Sequence, residues 1–179
     1  MTARRRGPIV AGLLALATAT LLAADVRVTP LVAEGQVFAS FTAGDAYTAE
    51  VREAVQSGLP TTLTFYVELR QSALIFWDRT LASVTAAASV KYDPLRGMFQ
   101  VSKMTDGQVA WSGSTDREDD VRKWSTEFER IRLSGGDTLE ANGEYYVRVR
   151  MRATPRRSFT LWPWGRDDAD GRAEFTFIK

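Results

Sequence analysis

Thr61–Arg70, TTLTFYVELR, alternates without a break: Leu63, Phe65, Val67 and Leu69 fall on one side, Thr62, Thr64, Tyr66, Glu68 and Arg70 on the other. Successive side chains of a strand point to opposite faces, so this stretch reads as a strand with one buried and one wet face. Sheets solvated on one face are characteristically antiparallel. The same period returns in Glu144–Arg152, EYYVRVRMR: Tyr145, Val147, Val149 and Met151 share one side, and Tyr146, Arg148, Arg150 and Arg152 the other.

The flanking segments read as further short strands. Val26–Val32 and Gln36–Phe41 surround a Glu34-Gly35 turn, with Val37, Ala39 and Phe41 on one face. Ala73–Trp77 is an apolar run closed by Asp78-Arg79, and Ser83–Tyr92 is a strand rich in alanine, valine and threonine. Asp93-Pro94-Leu95-Arg96-Gly97 is a turn from which Met98–Ser102 pairs back as a hairpin. Asp106-Gly107 turns into a short strand through Val109 and Trp111, and Glu174–Ile178 is the last strand.

Two segments change period. In Asp45–Gln56, Tyr47, Val51, Ala54 and Val55 share a helical face, with Asp45 as the expected N-cap and Gly58-Pro60 as the stop. In Thr115–Arg130, Val121, Trp124, Phe128 and Ile131 share a helical face. Thr115 with Glu118 has the spacing of a capping box, acids crowd the first turn, and Gly135-Gly136 closes the segment. Eight or nine short strands separated by turns, with two inserted helices, read as an antiparallel sandwich or α+β sheet, not βαβ units. Leu139–Tyr145 followed by Val147 and Val149 resembles the tyrosine corner of immunoglobulin-like sandwiches, where a tyrosine opening a late strand bonds back to the preceding turn; a plain hairpin with a core tyrosine has the same pattern. The expected fold is mainly β: an antiparallel immunoglobulin-like β-sandwich with two inserted helices, occupying residues 25–179.

Residues 1–24, MTARRRGPIVAGLLALATATLLAA, have the build of a secretory signal peptide: Arg4–Arg6, an apolar run from Ile9, then small residues. The run is shorter than the roughly 20 apolar residues a span requires, so cleavage, best placed after Ala24, is expected over a retained anchor. The expected location is periplasmic or secreted, with no membrane span after cleavage. Arg4–Arg6 also carry the excess positive charge. The chain has 23 basic and 22 acidic residues; without those three arginines the count is 20 against 22, a net −2. Nothing global points to nucleic acid.

The chain has no cysteine and no histidine. That excludes Ser-His-Asp and Cys-His nucleophiles and zinc sites with imidazole or thiolate ligands. After the leader the amines are Lys91, Lys103, Lys123 and Lys179. Asp116, Glu118, Asp119 and Asp120 are the one dense acid cluster, and adjacent acids in one turn read as capping and solubility, not as a catalytic pair across a cleft. Asp167-Asp168-Ala169-Asp170-Gly171 hints at a calcium loop, but Arg166 and Phe177 occupy the positions that should be ligands, so it reads as a surface turn. No catalytic residue, metal or cofactor is expected.

Two features suggest contact surfaces. Arg148, Arg150 and Arg152, extended by Arg156 and Arg157, form a row able to meet an anionic polymer or headgroup; paired with acids of neighbouring strands, the same row is an ordinary solvated face. Trp162-Pro163-Trp164 offers either a stacking platform for sugars or a partner, or a plug over one end of the core.

Pro30-Leu31, Ser57-Gly58-Leu59-Pro60, Val67-Glu68-Leu69, Trp77-Asp78, Tyr92-Asp93-Pro94-Leu95 and Gly143–Val149, in that order, resemble an exported bacterial domain-of-unknown-function family. The resemblance implies a periplasmic or envelope location and carries over no activity and no functional residue. The expected function is a non-enzymatic domain that binds an envelope protein or polymer, with Trp162, Trp164, Arg148, Arg150 and Arg152 as contacts. The alternative is a glycan-binding module built on the Trp162-Pro163-Trp164 loop. A third possibility is an enzyme working through carboxylates from different strands that converge in one pocket.

Overall fold

The computed structural model describes residues 26–72, 78–135, 139–153 and 170–177. The leader, the Ala73–Trp77 run and the segment holding Trp162, Trp164, Arg156 and Arg157 lie outside the described residues.

The described strands are β1 (Arg27–Ala33), β2 (Gln36–Thr42), β3 (Thr61–Gln71), β4 (Arg79–Asp93), β5 (Met98–Thr105), β6 (Gln108–Thr115), β7 (Glu127–Gly135), β8 (Glu144–Ala153) and β9 (Asp170–Thr176). They form two antiparallel sheets, one in the order β1-β2-β7 and one in the order β6-β5-β4-β3-β8-β9. Turn chemistry sets the hairpins. Glu34-Gly35 and Asp106-Gly107 each place two residues at positive φ, the conformation that matches the twist of a two-residue hairpin. The Asp93 carboxylate accepts from the Leu95 and Arg96 amides at 3.0 and 3.3 Å, and Gly97 closes that turn at φ 64°.

The alternating residues bury as expected: Leu63, Phe65, Val67, Leu69, Tyr145, Val147 and Val149 are all buried. They meet Val37, Ala39, Phe41, Phe128, Ile131 and Leu133 of the three-stranded sheet in one core. Phe41, Phe65 and Phe128 form its aromatic centre, with ring centroids 4.9–5.3 Å apart. The six-stranded sheet is twice as wide as its partner. Its β4-β5 side is covered instead by α1 (Ala49–Gln56) and α2 (Glu118–Thr126), through a second core of Val55, Val90, Phe99, Val101 and Val121. The two helices thus complete the layer that three strands leave unfinished.

Several local expectations are corrected. Helix α1 starts after Thr48, whose extended backbone and hydroxyl, accepting from the Val51 amide at 3.3 Å, make it the N-cap; Asp45 lies in a single 3-10 turn, Gly44–Ala46. The stop at Gly58 is as expected, at φ 81°. The second helix ends at Thr126, and β7 begins at the next residue. Phe128 and Ile131 therefore belong to a strand paired with β2, where a bulge with Arg130 at φ 51° keeps both buried. No capping box forms. Thr115 accepts from the Arg117 amide and donates to Asp120, while Glu118 reaches across to Arg52 at 2.7 Å and Gln56 at 3.3 Å on α1. Strand β9 starts at Asp170, so Asp170-Gly171 is strand and not turn; a methyl at Gly171 would overlap the Val26 carbonyl, which is how β1 closes onto β9.

Candidate functional site

On the outer face of the six-stranded sheet, the arginine row finds acids on neighbouring strands. The Arg148 guanidinium grips both Asp170 oxygens at 2.5–3.1 Å, and Arg150 donates to Glu68 at 2.7 Å. The Asp170 bond holds Arg148 above its usual pKa. Arg152 stands opposite Thr64 in the register. Tyr146, expected on the wet side, is 2% exposed. The Arg172 guanidinium lies 3.8 Å over its ring, and its hydroxyl donates to Asp78 at 2.6 Å. Burial first, and that bond second, push its phenol up. Partly exposed ion pairs of this kind add little stability. An anion binding to Arg148 or Arg150 would have to replace a carboxylate already in place.

At the seam between the two covering layers, the inner face opens into a groove of about 370 Å³ lined by Lys103, Ala110, Trp111, Trp124, Glu127 and Phe128. The hairpin register sets Lys103 opposite Trp111. Helix α2 brings Trp124 edge-on to Trp111, with centroids 4.9 Å apart. Gly113 makes room for this, because a Cβ there would sit 2.6 Å from the Trp111 ring. The Lys103 ammonium lies 5.6 Å from the Trp111 centroid and 5.3 Å from that of Phe128. It donates to the Glu127 carbonyl, at the helix-to-strand junction, at 2.7 Å. An ammonium has three donors, and the Glu127 carbonyl takes one of them. Burial lowers its pKa, opposed by the nearby Glu129 and Glu127 carboxylates. Trp111 remains 39% exposed and Val109 65% exposed. The groove therefore combines aromatic surface, a partly desolvated cation and open access.

The sequence named neither tryptophan as a site residue. Counting back from the Asp106-Gly107 turn should pair Lys103 with Ala110, but a bulge between Lys103 and Met104 shifts the partner to Trp111. Trp124 reaches the same place through the packing of α2 back onto β6, the strand that precedes it. Among the described residues, no group of three or more acids is arranged to hold a metal ion. Nor, among them, is any helix long and apolar enough to cross a membrane.

The family model described as a domain of unknown function, DUF4390, matches residues 23–157. The chain belongs to DUF4390. The match spans the landmarks from Pro30 to Val149, the whole groove, and Glu68, Arg148 and Arg150 of the outer face, and it ends before Trp162-Pro163-Trp164, Asp170 and Arg172. Searches of curated proteins and of solved structures found no match to this DUF4390 chain.

Proposed function

We propose that this DUF4390 chain is an exported, non-catalytic binding domain that engages a partner protein of the envelope through the Lys103–Trp111–Trp124–Phe128 groove. The observation that carries the reading is a half-exposed tryptophan beside a half-buried ammonium in an open groove. Aromatic surface with one oriented charge is the usual chemistry of a contact hot spot. The absence of histidine and cysteine supports a non-catalytic role, as does the commitment of Glu68, Asp170 and Glu118 to arginines. Export rests on the leader-like residues 1–24.

The same reading takes the fold as an immunoglobulin-like sandwich. Support comes from strand order: β1, β2 and β7 share one sheet, while β3, β8 and β9 are adjacent in the other, widened by β4, β5 and β6. Support also comes from Tyr145, which opens the strand after the β7-to-β8 crossover and accepts from the Glu140 amide at 2.8 Å.

A photo-crosslinking amino acid at position 111 tests the reading in the native host. A discrete envelope adduct from position 111, absent when the probe replaces outer-face Tyr66, is the expected result. Equal labelling from both positions, or none from position 111, would count against it.

A further inference from the structure

Four strands end the two sheets among the described residues, and three of them are guarded. Strand β1 carries Arg27 and Pro30 and lies against β9 at Gly171. Strand β7 carries Glu127, Glu129, Arg130 and Arg132 and is broken by register shifts. Strand β9 carries Asp170, Arg172 and Glu174. Charges, proline and bulges are the devices by which sheet edges avoid pairing with other chains. Strand β6, QVAWSGST, has neither charge nor proline; its one register shift falls at Ala110, Trp111–Thr115 pair regularly with β5, and the residues from Gln108 to Ser112 are all exposed. Its outer row of backbone donors and acceptors has no strand beside it among the described residues.

We infer that β6 is a self-pairing edge: two copies of the chain join β6 to β6 antiparallel, about a two-fold axis perpendicular to the sheet. That symmetry puts the same strand on both sides of the interface and keeps the core-facing sides together. A second copy is the occupant that the charge pattern favours, because a charge-free strand meets its own copy without like charges opposed. Pairing centred on Ser112, in the regular part of the strand, sets Trp111 opposite Gly113 of the other copy, where no side chain competes. The two grooves then lie on the same side of one continuous sheet. The inference uses the backbone edge and not the groove, so it stands or falls apart from the partner reading.

Sedimentation equilibrium of the protein recovered from its host tests it with two charge variants at exposed Ser112. The wild type should dimerise reversibly. Ser112→Lys and Ser112→Glu alone should each weaken the dimer about fivefold to tenfold by opposing like charges. An equimolar mixture of the two should restore it, which also shows that both variants fold. A wild type that stays monomeric, a dimer that neither variant weakens, or a mixture no stronger than either variant alone would each overturn the inference.

Discussion

Tyr145 shows how one residue fixes a connection. Its ring is 1% exposed in the main core, and its hydroxyl reaches back to the Glu140 amide. Gly143 leaves space for that ring: a Cβ there would lie 2.7 Å from it. Tyr145→Phe strands the Glu140 donor and should cost about 1–3 kcal/mol. Gly143→Ala should cost a comparable amount through the clash alone, since its φ is ordinary. Denaturant midpoints of the two variants check both statements. Lys103 makes a different prediction. Its ordinary pKa is 10.5, and the fold lowers it by burial. Between the lowered value and 10.5 the unfolded chain binds more protons than the folded one. Wild-type stability should therefore rise with pH through that alkaline window relative to Lys103→Met. A parallel pair of stability curves would show that the ammonium is not desolvated. At this scale the alternation of β3 and β8 gave the buried residues correctly. It missed Tyr146, because what buries that ring is a guanidinium from β9 stacked on its face, a contact that strand period does not encode.

At the scale of elements, the helix-to-strand junction at Thr126 is the instructive case. Val121, Trp124, Phe128 and Ile131 satisfy a helical spacing, yet the last two are strand residues. Periodicity cannot separate a helix that continues from a strand with a bulge, and pairing with β2 decided it. Ser125 and Thr126 help to end the helix, their hydroxyls returning to the Val121 and Arg122 carbonyls at 2.7 and 2.8 Å. The capping assignments failed for a related reason: the acid expected to cap α2 is drawn to Arg52 on α1. The helices owe their place to the second core, so truncating it should loosen them selectively. Val121→Ala should cost about 1–3 kcal/mol, and Phe65→Ala in the main core about 3–5 kcal/mol. Amide exchange should then quicken in residues 49–56 and 118–126 for the first variant, and throughout the molecule for the second.

Across the whole molecule, the chain solves a mismatch in width. Among the described residues six strands face three, and two helices cover the remainder, which leaves a seam where α2 passes into β7. The groove is that seam. Sheet content and hairpin positions were legible in the sequence because local turn chemistry sets them. The width of each sheet was not, because β8 beside β3 and β7 beside β2 are pairings between distant segments. Lys103, Trp111 and Trp124 come from three consecutive elements, brought together by a hairpin bulge and by α2 folding back onto β6, neither of which a local motif announces. The most direct test compares binding of the partner captured at position 111 among three proteins of matched melting temperature: wild type, Lys103→Met/Trp111→Ser, and Arg148→Ser/Arg150→Ser. The account predicts a loss of about tenfold or more for the groove variant, in the range of a contact hot spot, with the outer-face variant near wild type; the reverse order would contradict it.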